Sequence, residues 1–282
     1  MLATIWACFL ASLRFRDYRP QPITKRSVRR WLSQFERQDQ KALRALLRNV
    51  IYLSEHSVRN ELVELNESLL ERLELAGVST KKVVYIQVGD AGSSSPVILN
   101  MLRDAALLER RGCTFLDSKD VKGIHDTTNK LEEGAIVYVD DFLGSGNQFY
   151  ASRSSFADYI IGNFVEFSLA PCICEEAVTR LNELGVEPKT SRIHYTRERP
   201  LHEGSNLLPT DTKTRLRELS FQMDRKGGLG YRSMATMVVL YRNAPTNVPL
   251  LLRGNLGQRP RVGVFPRTTD LPTEKPRLAT QP

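Results

Sequence analysis

One stretch of the chain decides the fold, and it runs Ile136-Val137-Tyr138-Val139-Asp140-Asp141-Phe142-Leu143-Gly144-Ser145-Gly146-Asn147-Gln148. Its first four residues are apolar and β-favouring, which predicts a buried strand. Two adjacent carboxylates stand where that strand should end. A glycine-containing loop then leads into a segment, 149–161, that we expect to be helical. The order strand, carboxylates, glycine loop and helix is typical of an anion-binding turn in an α/β protein.

The residue types in this stretch suit a phosphorylated sugar. Glycine lets the main chain approach an anion closely, and the N–H groups at a helix start supply positive potential for a phosphate. Asp140 and Asp141 are acceptors for the 2′ and 3′ hydroxyls of a ribose. Because hard cations choose oxygen ligands, they are also candidate ligands of Mg²⁺, directly or through water. The alternative is a plain turn with helix-capping aspartates, which would require the whole order to be a coincidence.

Outward from this stretch, strands and helices alternate. Strands are expected at 83–88, 114–116, 135–139, 165–174, 193–195 and 237–241, and helices at 96–108, 149–161 and 175–184. This alternation predicts parallel βαβ units, that is, an α/β fold whose parallel sheet is flanked by helices and binds ligands at the carboxyl ends of its strands.

The segments before and after the α/β pattern differ from it. Apolar residues recur at helix spacing over 25–77, with Thr24 and Asp39 as expected N-caps and Gly77 as the expected C-cap. We therefore expect an N-terminal arm, a basic helical module, a phosphate-binding α/β domain and an extended or disordered basic tail. Their boundaries are 1–24, 25–78, 79–250 and 251–282.

The stretch around Asp140 resembles the signature of type I phosphoribosyltransferases, in which a hydrophobic strand leads into two acidic residues, two variable residues and a Thr/Ser- and Gly-rich loop. The resemblance implies that Asp140 and Asp141 are catalytic residues that contact the ribose of phosphoribosyl pyrophosphate, with Mg²⁺ as cofactor. It also implies a 5′-phosphate loop made of Gly144, Ser145, Gly146, Asn147 and Gln148. Gly144, Asn147 and Gln148 depart from the residues usual in the enzymes.

The resemblance implies two further parts of the site. The loop after the first strand would hold the pyrophosphate, and it consists of Gly89, Asp90, Ala91, Gly92, Ser93 and Ser94. A mobile lid would lie between Asp117 and Glu133, where a basic residue could stabilise departing pyrophosphate. The candidates there are Lys119, Lys122 and His125.

Three features point to a particular group within this family. They are the N-terminal helical module, the sequence of the Asp140 loop, and a late segment running from Gly228 to Leu250. Together they resemble phosphoribosyltransferase-like effectors of prokaryotic conflict systems, some of them associated with retrons. This implies a toxic antiviral effector acting at the ribose C1. It would be held in a cytoplasmic complex with a reverse transcriptase and its RNA and DNA.

Positive charge is concentrated at the two ends of the chain. Residues 1–50 carry eleven Lys/Arg against three Asp/Glu, and residues 251–282 carry six against two, whereas the middle of the chain carries 23 against 27. Because both ends of the chain are basic and the middle is nearly neutral, the ends suggest contact with a polyanion. The candidate nucleic-acid contacts are Lys25, Arg26, Arg29 and Arg30. A non-catalytic module that senses a nucleotide and binds nucleic acid therefore stays open beside the enzyme, as does an ordinary solvated helix face.

The first thirteen residues are apolar but too short to cross a bilayer, which takes about 20 residues, and no other stretch reaches that length. We interpret them as an extra helix or a partner-docking segment in an oligomer or complex, with a membrane-surface anchor as the alternative. The four cysteines, Cys8, Cys113, Cys172 and Cys174, lack the spacing of a zinc site. Reduced thiols in a cytosolic protein are expected.

Overall fold

The structure is a computed structural model that describes residues 2–19, 21–88, 94–255 and 261–267. The helices are α1 Leu2–Arg14, α2 Lys25–Ser33, α3 Arg37–Arg48, α4 Glu55–Leu75, α5 Ser95–Ala105, α6 Val121–Leu131, α7 Asn147–Ser154, α8 Glu175–Glu183, α9 Thr210–Met223 and α10 Leu250–Arg253. The strands are β1 Ile51–Leu53, β2 Val83–Gln87, β3 Thr114–Asp117, β4 Glu133–Val139, β5 Phe142–Leu143, β6 Asn163–Leu169, β7 Cys172–Cys174, β8 Val186–Lys189, β9 Arg192–His194, β10 Val238–Leu240, β11 Gly254–Asn255 and β12 Arg261–Val262.

The chain folds as two compact units. Residues 56–195 form one, here called the α/β unit, and residues 1–55 together with 196–282 form the other, here called the helical unit. These units differ from the consecutive segments expected from the sequence. The reason is that β1 pairs in parallel with β10, so the N-terminal helices and the C-terminal third of the chain share one core.

The main sheet of the α/β unit has the strand order β3-β2-β4-β6-β8, and all its described pairings are parallel. One face packs against α6, α7 and α8 through Ile124, Phe149 and Ala177. The opposite face meets α4, where the hydroxyl of Tyr85 donates to Asn66 Oδ1 at 2.5 Å. Helices therefore cover both faces, and the expected α/β class is confirmed.

Three neighbouring strands of this sheet are each interrupted for two residues at the same height. The interruptions are Asp140–Asp141 between β4 and β5, 170–171 between β6 and β7, and 190–191 between β8 and β9. Beyond them, β5, β7 and β9 continue as a parallel three-stranded sheet. The N–H of Asp140 still donates to the carbonyl of Leu169 at 3.1 Å. The expected single strand 165–174 is therefore two strands, and the two aspartates lie inside a break that the neighbouring strands share.

The helical front of the chain is less continuous than expected. Thr24 is the N-cap of α2, as predicted, and forms a capping box with Ser27. The prediction for Asp39 is wrong, because α3 already begins at Arg37 and Asp39 is buried, paired with Arg215 through bonds of 2.9 and 3.0 Å. Ile51, expected in a helix, belongs to β1.

Gly77 follows α4 in the left-handed region, with φ of +81°. Its N–H donates to the carbonyl of Glu74, and the N–H of Val78 donates to that of Leu73. This is the glycine-terminated helix end that the sequence predicted.

Two segments differ from what was expected of them. The segment 117–133, where the resemblance implies a mobile lid, contains α6, and Asp120 caps the start of this helix by accepting from the N–H of Gly123 at 2.9 Å. The expected extended tail is packed over its described part: Leu251, Leu252 and Phe265 are buried in the helical unit. Residues 268–282 lie outside the described residues.

The core of the helical unit joins the two ends of the chain. Trp31 is buried and donates from Nε1 to the carbonyl of Leu251 at 2.7 Å, and the hydroxyl of Tyr18 donates to the carbonyl of Pro266 at 3.0 Å. The four cysteines are buried and unbridged. Within the described residues, no helix combines the length and the apolar character needed to cross a membrane.

Candidate functional site

The acidic pair lies at the switch point of the main sheet. From β2 the chain crosses to β3 on one side, and it then returns to β4 on the other side of β2. Ligands of open parallel sheets bind at such a point, at the carboxyl ends of the strands where the connections diverge. Asp140 follows the last residue of β4 directly. The topology thus places the two carboxylates where this class of fold binds its ligand.

Two serines at the start of α5 hold the ends of the central strands together. The buried Ser95 donates from Oγ to the carbonyl of Val139 at 2.7 Å and accepts from the N–H of Val88 at 3.1 Å. Ser94 donates from Oγ to Asp140 Oδ1 at 2.7 Å. The connection after β2 therefore contacts the acidic pair through Ser94. The other members of the expected pyrophosphate loop, Gly89, Asp90, Ala91, Gly92 and Ser93, lie outside the described residues.

The electrostatics of the acidic pair are unfavourable for two full charges. Burial raises the pKa of Asp140 well above its ordinary value, and the negative charge of Asp141 raises it further. The Ser94 hydroxyl and the N–H of Asp141, which donates to Asp140 Oδ1 at 2.9 Å, act in the opposite direction. Asp141 is itself buried, with 5% of its surface exposed. A hydroxyl donor or a cation at this position would relieve the repulsion.

The glycine loop ends in a backbone conformation that requires glycine. Gly146 has φ of +72° and is the N-cap of α7. A Cβ there would lie 3.3 Å from Ala177 Cα and 3.4 Å from Arg180 Cβ, so the loop also lies close against α8. The N–H of Asn147 donates to Ser145 Oγ at 3.4 Å. Gln148 is exposed, whereas Gly144, Ser145 and Asn147 are half-buried.

A partly buried ion pair fixes α7 to the sheet. Arg153, in the last turn of α7, donates to both carboxylate oxygens of Glu166 on β6, at 2.9 and 2.5 Å. The hydroxyl of Tyr138 on β4 donates to the same carboxylate at 2.6 Å, and burial, followed by the charge of Glu166, raises the pKa of Tyr138. No local pattern in the sequence indicates this network, because its members belong to three separate elements.

Arg180 is a second residue that the sequence did not indicate. Its guanidinium lies 5.2 Å from the centroid of the Tyr150 ring on α7, and its Cβ faces Gly146. The structure thereby places a cation next to the glycine loop. Only the packing of α8 against that loop reveals it.

The expected lid residues are located on or beside α6. Lys119, Lys122 and His125 are exposed, and His125 Nδ1 lies 3.1 Å from Asp126 Oδ1. Most of the segment 117–133 is helical, so it does not form a loop of the kind expected for a lid. The candidate nucleic-acid residues Lys25, Arg26, Arg29 and Arg30 are exposed on α2. Among the described residues, no group of three or more His, Cys, Asp or Glu side chains is arranged to hold a metal ion.

A parallel α/β unit with an acidic pair and a glycine-started helix at its switch point has a phosphoribosyltransferase-like fold. Residues 28–267 match the family model PRTase-CE, and the chain therefore belongs to the PRTase-CE family. Among solved structures, the chain is similar to orotate phosphoribosyltransferase from Aeropyrum pernix, with 18% identity and a TM-score of 0.31 over 47% of this chain and 68% of that chain. No curated protein matches the sequence.

Proposed function

We propose that this protein binds a phosphoribosyl ligand, either phosphoribosyl pyrophosphate or a related nucleotide, and acts at its ribose C1. The observation that carries the proposal is the hydrogen bond from Ser94 to Asp140 at 2.7 Å. It joins the connection after β2 to the acidic pair after β4, at the point where parallel sheets bind ligands. Membership of the PRTase-CE family supports the same ligand class.

Each part of the site has a role that suits its chemistry. Asp140 and Asp141 accept hydrogen bonds from the ribose hydroxyls, which relieves their mutual repulsion. The 5′-phosphate is held by the backbone N–H groups at the start of α7 and by the loop 144–148, including Asn147 and Gln148. Residues 89–94 take the pyrophosphate end.

Mg²⁺ fits the two aspartates because they offer oxygen ligands in adjacent positions and need a positive charge beside them. Two carboxylates leave room for water and phosphate oxygens, which is the usual coordination of this ion. When bound there, directly or through water, Mg²⁺ would neutralise charge on a departing pyrophosphate. The chain itself positions the sugar and stabilises charge, without a covalent intermediate.

The biological role follows from the narrower resemblance. We propose a toxic effector in prokaryotic antiviral defence, located in the cytoplasm and held in a retron-like complex with a reverse transcriptase and its RNA and DNA. The support is the helical front, the form of the Asp140 loop and the family membership.

A non-catalytic sensor is the second candidate. It would bind the same ligand at Asp140 and Asp141 and contact nucleic acid through α2. The exposure of Lys25, Arg26, Arg29 and Arg30 on one short helix favours it, as do the departures at Asn147 and Gln148 from the usual enzymes.

Pyrophosphate release and growth arrest distinguish the two candidates. The purified chain is incubated with phosphoribosyl pyrophosphate, Mg²⁺ and nucleobases or RNA as acceptors, and it is also expressed from an inducible promoter. The enzyme predicts pyrophosphate release and toxicity that Asp140→Asn with Asp141→Asn abolishes. Asp104→Asn with Asp158→Asn, at two exposed carboxylates of the same unit, should leave both unchanged. Ligand binding without release, together with RNA binding that the acidic pair does not affect, would favour the sensor.

A further inference from the structure

Helix α1 exposes a stripe of large apolar side chains. Trp6, Leu10 and Leu13 are 61%, 59% and 52% exposed, respectively. The spacing of four and three residues places them on one face. The same helix buries Cys8 and Ala11 in the core of the helical unit. The three exposed residues, here called the α1 stripe, are therefore not needed to fold this unit.

Positive charge lies beside the α1 stripe. The ammonium of Lys25 is 4.3 Å from the ring centroid of Phe9, and that ring lies edge-on to Trp6 at 6.0 Å. Lys25 begins α2, whose outward face carries the exposed cations Lys25, Arg26, Arg29 and Arg30, here called the basic ridge. A continuous surface thus combines aromatic, aliphatic and cationic side chains.

Little negative charge offsets this surface. Residues 1–50 contain three acidic residues, Asp17, Glu36 and Asp39. Asp39 is buried against Arg215, and Asp17 accepts from the Tyr52 hydroxyl at 2.7 Å and from the N–H of Glu55 at 3.3 Å. The charge complement of the surface is therefore an extended anion.

The side chains of the α1 stripe distinguish between two kinds of extended anion, a nucleic acid and an anionic lipid bilayer. A nucleic acid would pair with the basic ridge and could stack a base on Trp6, but it supplies no apolar layer in which Leu10 and Leu13 could be buried together with Trp6. An anionic bilayer accepts all three kinds of side chain: leucines enter the acyl boundary, tryptophan lies at the headgroup level, and cations pair with lipid phosphates and carboxylates.

We propose that the α1 stripe and the basic ridge dock this protein onto the surface of an anionic lipid bilayer, with α1 lying in the headgroup region. The helix has 13 residues, which is short for crossing a bilayer and adequate for lying on one. The proposal is independent of the phosphoribosyl site, which lies in the α/β unit.

Tryptophan fluorescence offers a direct readout of this docking. The chain has two tryptophans, and Trp31 is 1% exposed with its Nε1 bonded to a backbone carbonyl. A change of emission on mixing with vesicles therefore reports Trp6. We expect a blue shift with vesicles that contain phosphatidylserine, a much smaller one with phosphatidylcholine alone, a loss of the shift at high salt, and no shift in Trp6→Phe.

Matched variants separate the stripe from general surface effects. Leu10→Gln with Leu13→Gln should lower vesicle partitioning in flotation assays by about tenfold or more, because the variant buries far less apolar surface. Leu75→Gln, at a leucine that is 90% exposed on α4, should bind as the unaltered protein does. Arg26→Gln with Arg30→Gln should weaken the preference for phosphatidylserine. Circular dichroism checks that each variant is folded.

Three outcomes would overturn the proposal. The first is that the full chain does not bind phosphatidylserine vesicles at low salt. The second is that the stripe variant binds as tightly as the Leu75 control. The third is that Trp6 emission shifts without lipid, either on addition of RNA or with rising protein concentration, which would assign the stripe to nucleic acid or to a second copy of the chain.

Discussion

At the scale of single residues, the partly buried carboxyl group of Asp140 lies beside Asp141, and desolvation and that neighbour both raise its pKa. A carboxyl group whose ionisation is disfavoured in the free protein is typical of a site shaped for a ligand rather than for stability. We expect Asp140→Asn to leave stability unchanged or raise it by about 1 kcal/mol, because the amide oxygen can still accept from Ser94 and from the N–H of Asp141. Ligand binding should be lost. Thermal unfolding and ligand titration of the same sample test this, and a clear loss of stability would contradict it.

Gly146 supports a matched comparison at the same scale. Gly146→Ala should cost about 1 kcal/mol from its left-handed φ, and more where the new Cβ meets α8. Gly185 has a similar φ of +70°, and nothing lies within 4 Å of where its Cβ would be. Gly185→Ala should therefore lower the free energy of unfolding by a similar amount, through backbone strain, and keep full ligand affinity. Gly146→Ala should lose ligand affinity as well as stability. Equal affinity in both variants would show that the loop does not contact the ligand.

At the scale of elements, the position of α7 depends on the pair between Arg153 and Glu166, whose side chains are 16% and 13% exposed. Glu166→Gln should cost about 3 kcal/mol, because it leaves a largely buried guanidinium without its counter-charge, and it should weaken ligand binding by letting α7 move. Tyr138→Phe removes one hydrogen bond and should cost about 1 kcal/mol. Urea unfolding measures both. If both variants lose only a similar, small amount of stability, the pair between Arg153 and Glu166 does not anchor α7.

The contact between α4 and β8 makes a prediction about acid. Arg72 donates to both oxygens of Glu187, and this bond lowers the pKa of Glu187 to about 2. A lowered folded pKa gives stability that is present above the ordinary value of 4.5 and is lost as the pH falls towards 2. The pair is about half exposed, so the effect should be modest. Glu187→Gln should flatten the dependence of unfolding midpoint on pH over this range, while an unchanged slope would exclude the pair as its source.

The elements also show what local sequence can and cannot reveal. The cap at Thr24, the end of α4 at Gly77 and the strand before Asp140 depend on neighbouring residues, and all were predicted. The break between β6 and β7 contains Pro171, a signal that disfavours a continuous strand and could have been used. The capping residue Asp120, before α6, was a similar local signal.

At the scale of the whole molecule, contacts between distant residues decided what the sequence could not. Strand β1 forms by pairing with β10, whose Val238 lies 187 residues after its partner Ile51 in the sequence, and no local pattern indicates this pairing. The same holds for Ser95, whose two bonds join β2 and β4, and for Arg180, which only the packing of α8 brings to the glycine loop. The fold class and the position of the acidic pair could be predicted because the decisive stretch is continuous in the sequence. The residues that support the pair could not be predicted, because they come from separate parts of the chain.

The packed part of the C-terminal segment can be tested by truncating one side chain. Phe265 is fully buried, and the centroid of its ring lies 4.9 Å from that of Phe15 and 5.3 Å from that of Tyr18. Phe265→Ala should cost about 3–5 kcal/mol. Leu207→Ala, at a leucine of the same unit that is 49% exposed, should cost far less. If denaturant melts show the two variants to be alike, residues 261–267 are not part of the core.

The most direct test of the central claim is calorimetric titration of phosphoribosyl pyrophosphate with Mg²⁺ into the purified chain, beside the Asp140→Asn, Asp141→Asn variant. We expect saturable binding to the unaltered protein, weaker binding without Mg²⁺, and no binding to the folded variant. Equal binding to both proteins would contradict the assignment of the acidic pair. No binding to a folded, unaltered chain would contradict the phosphoribosyl ligand itself.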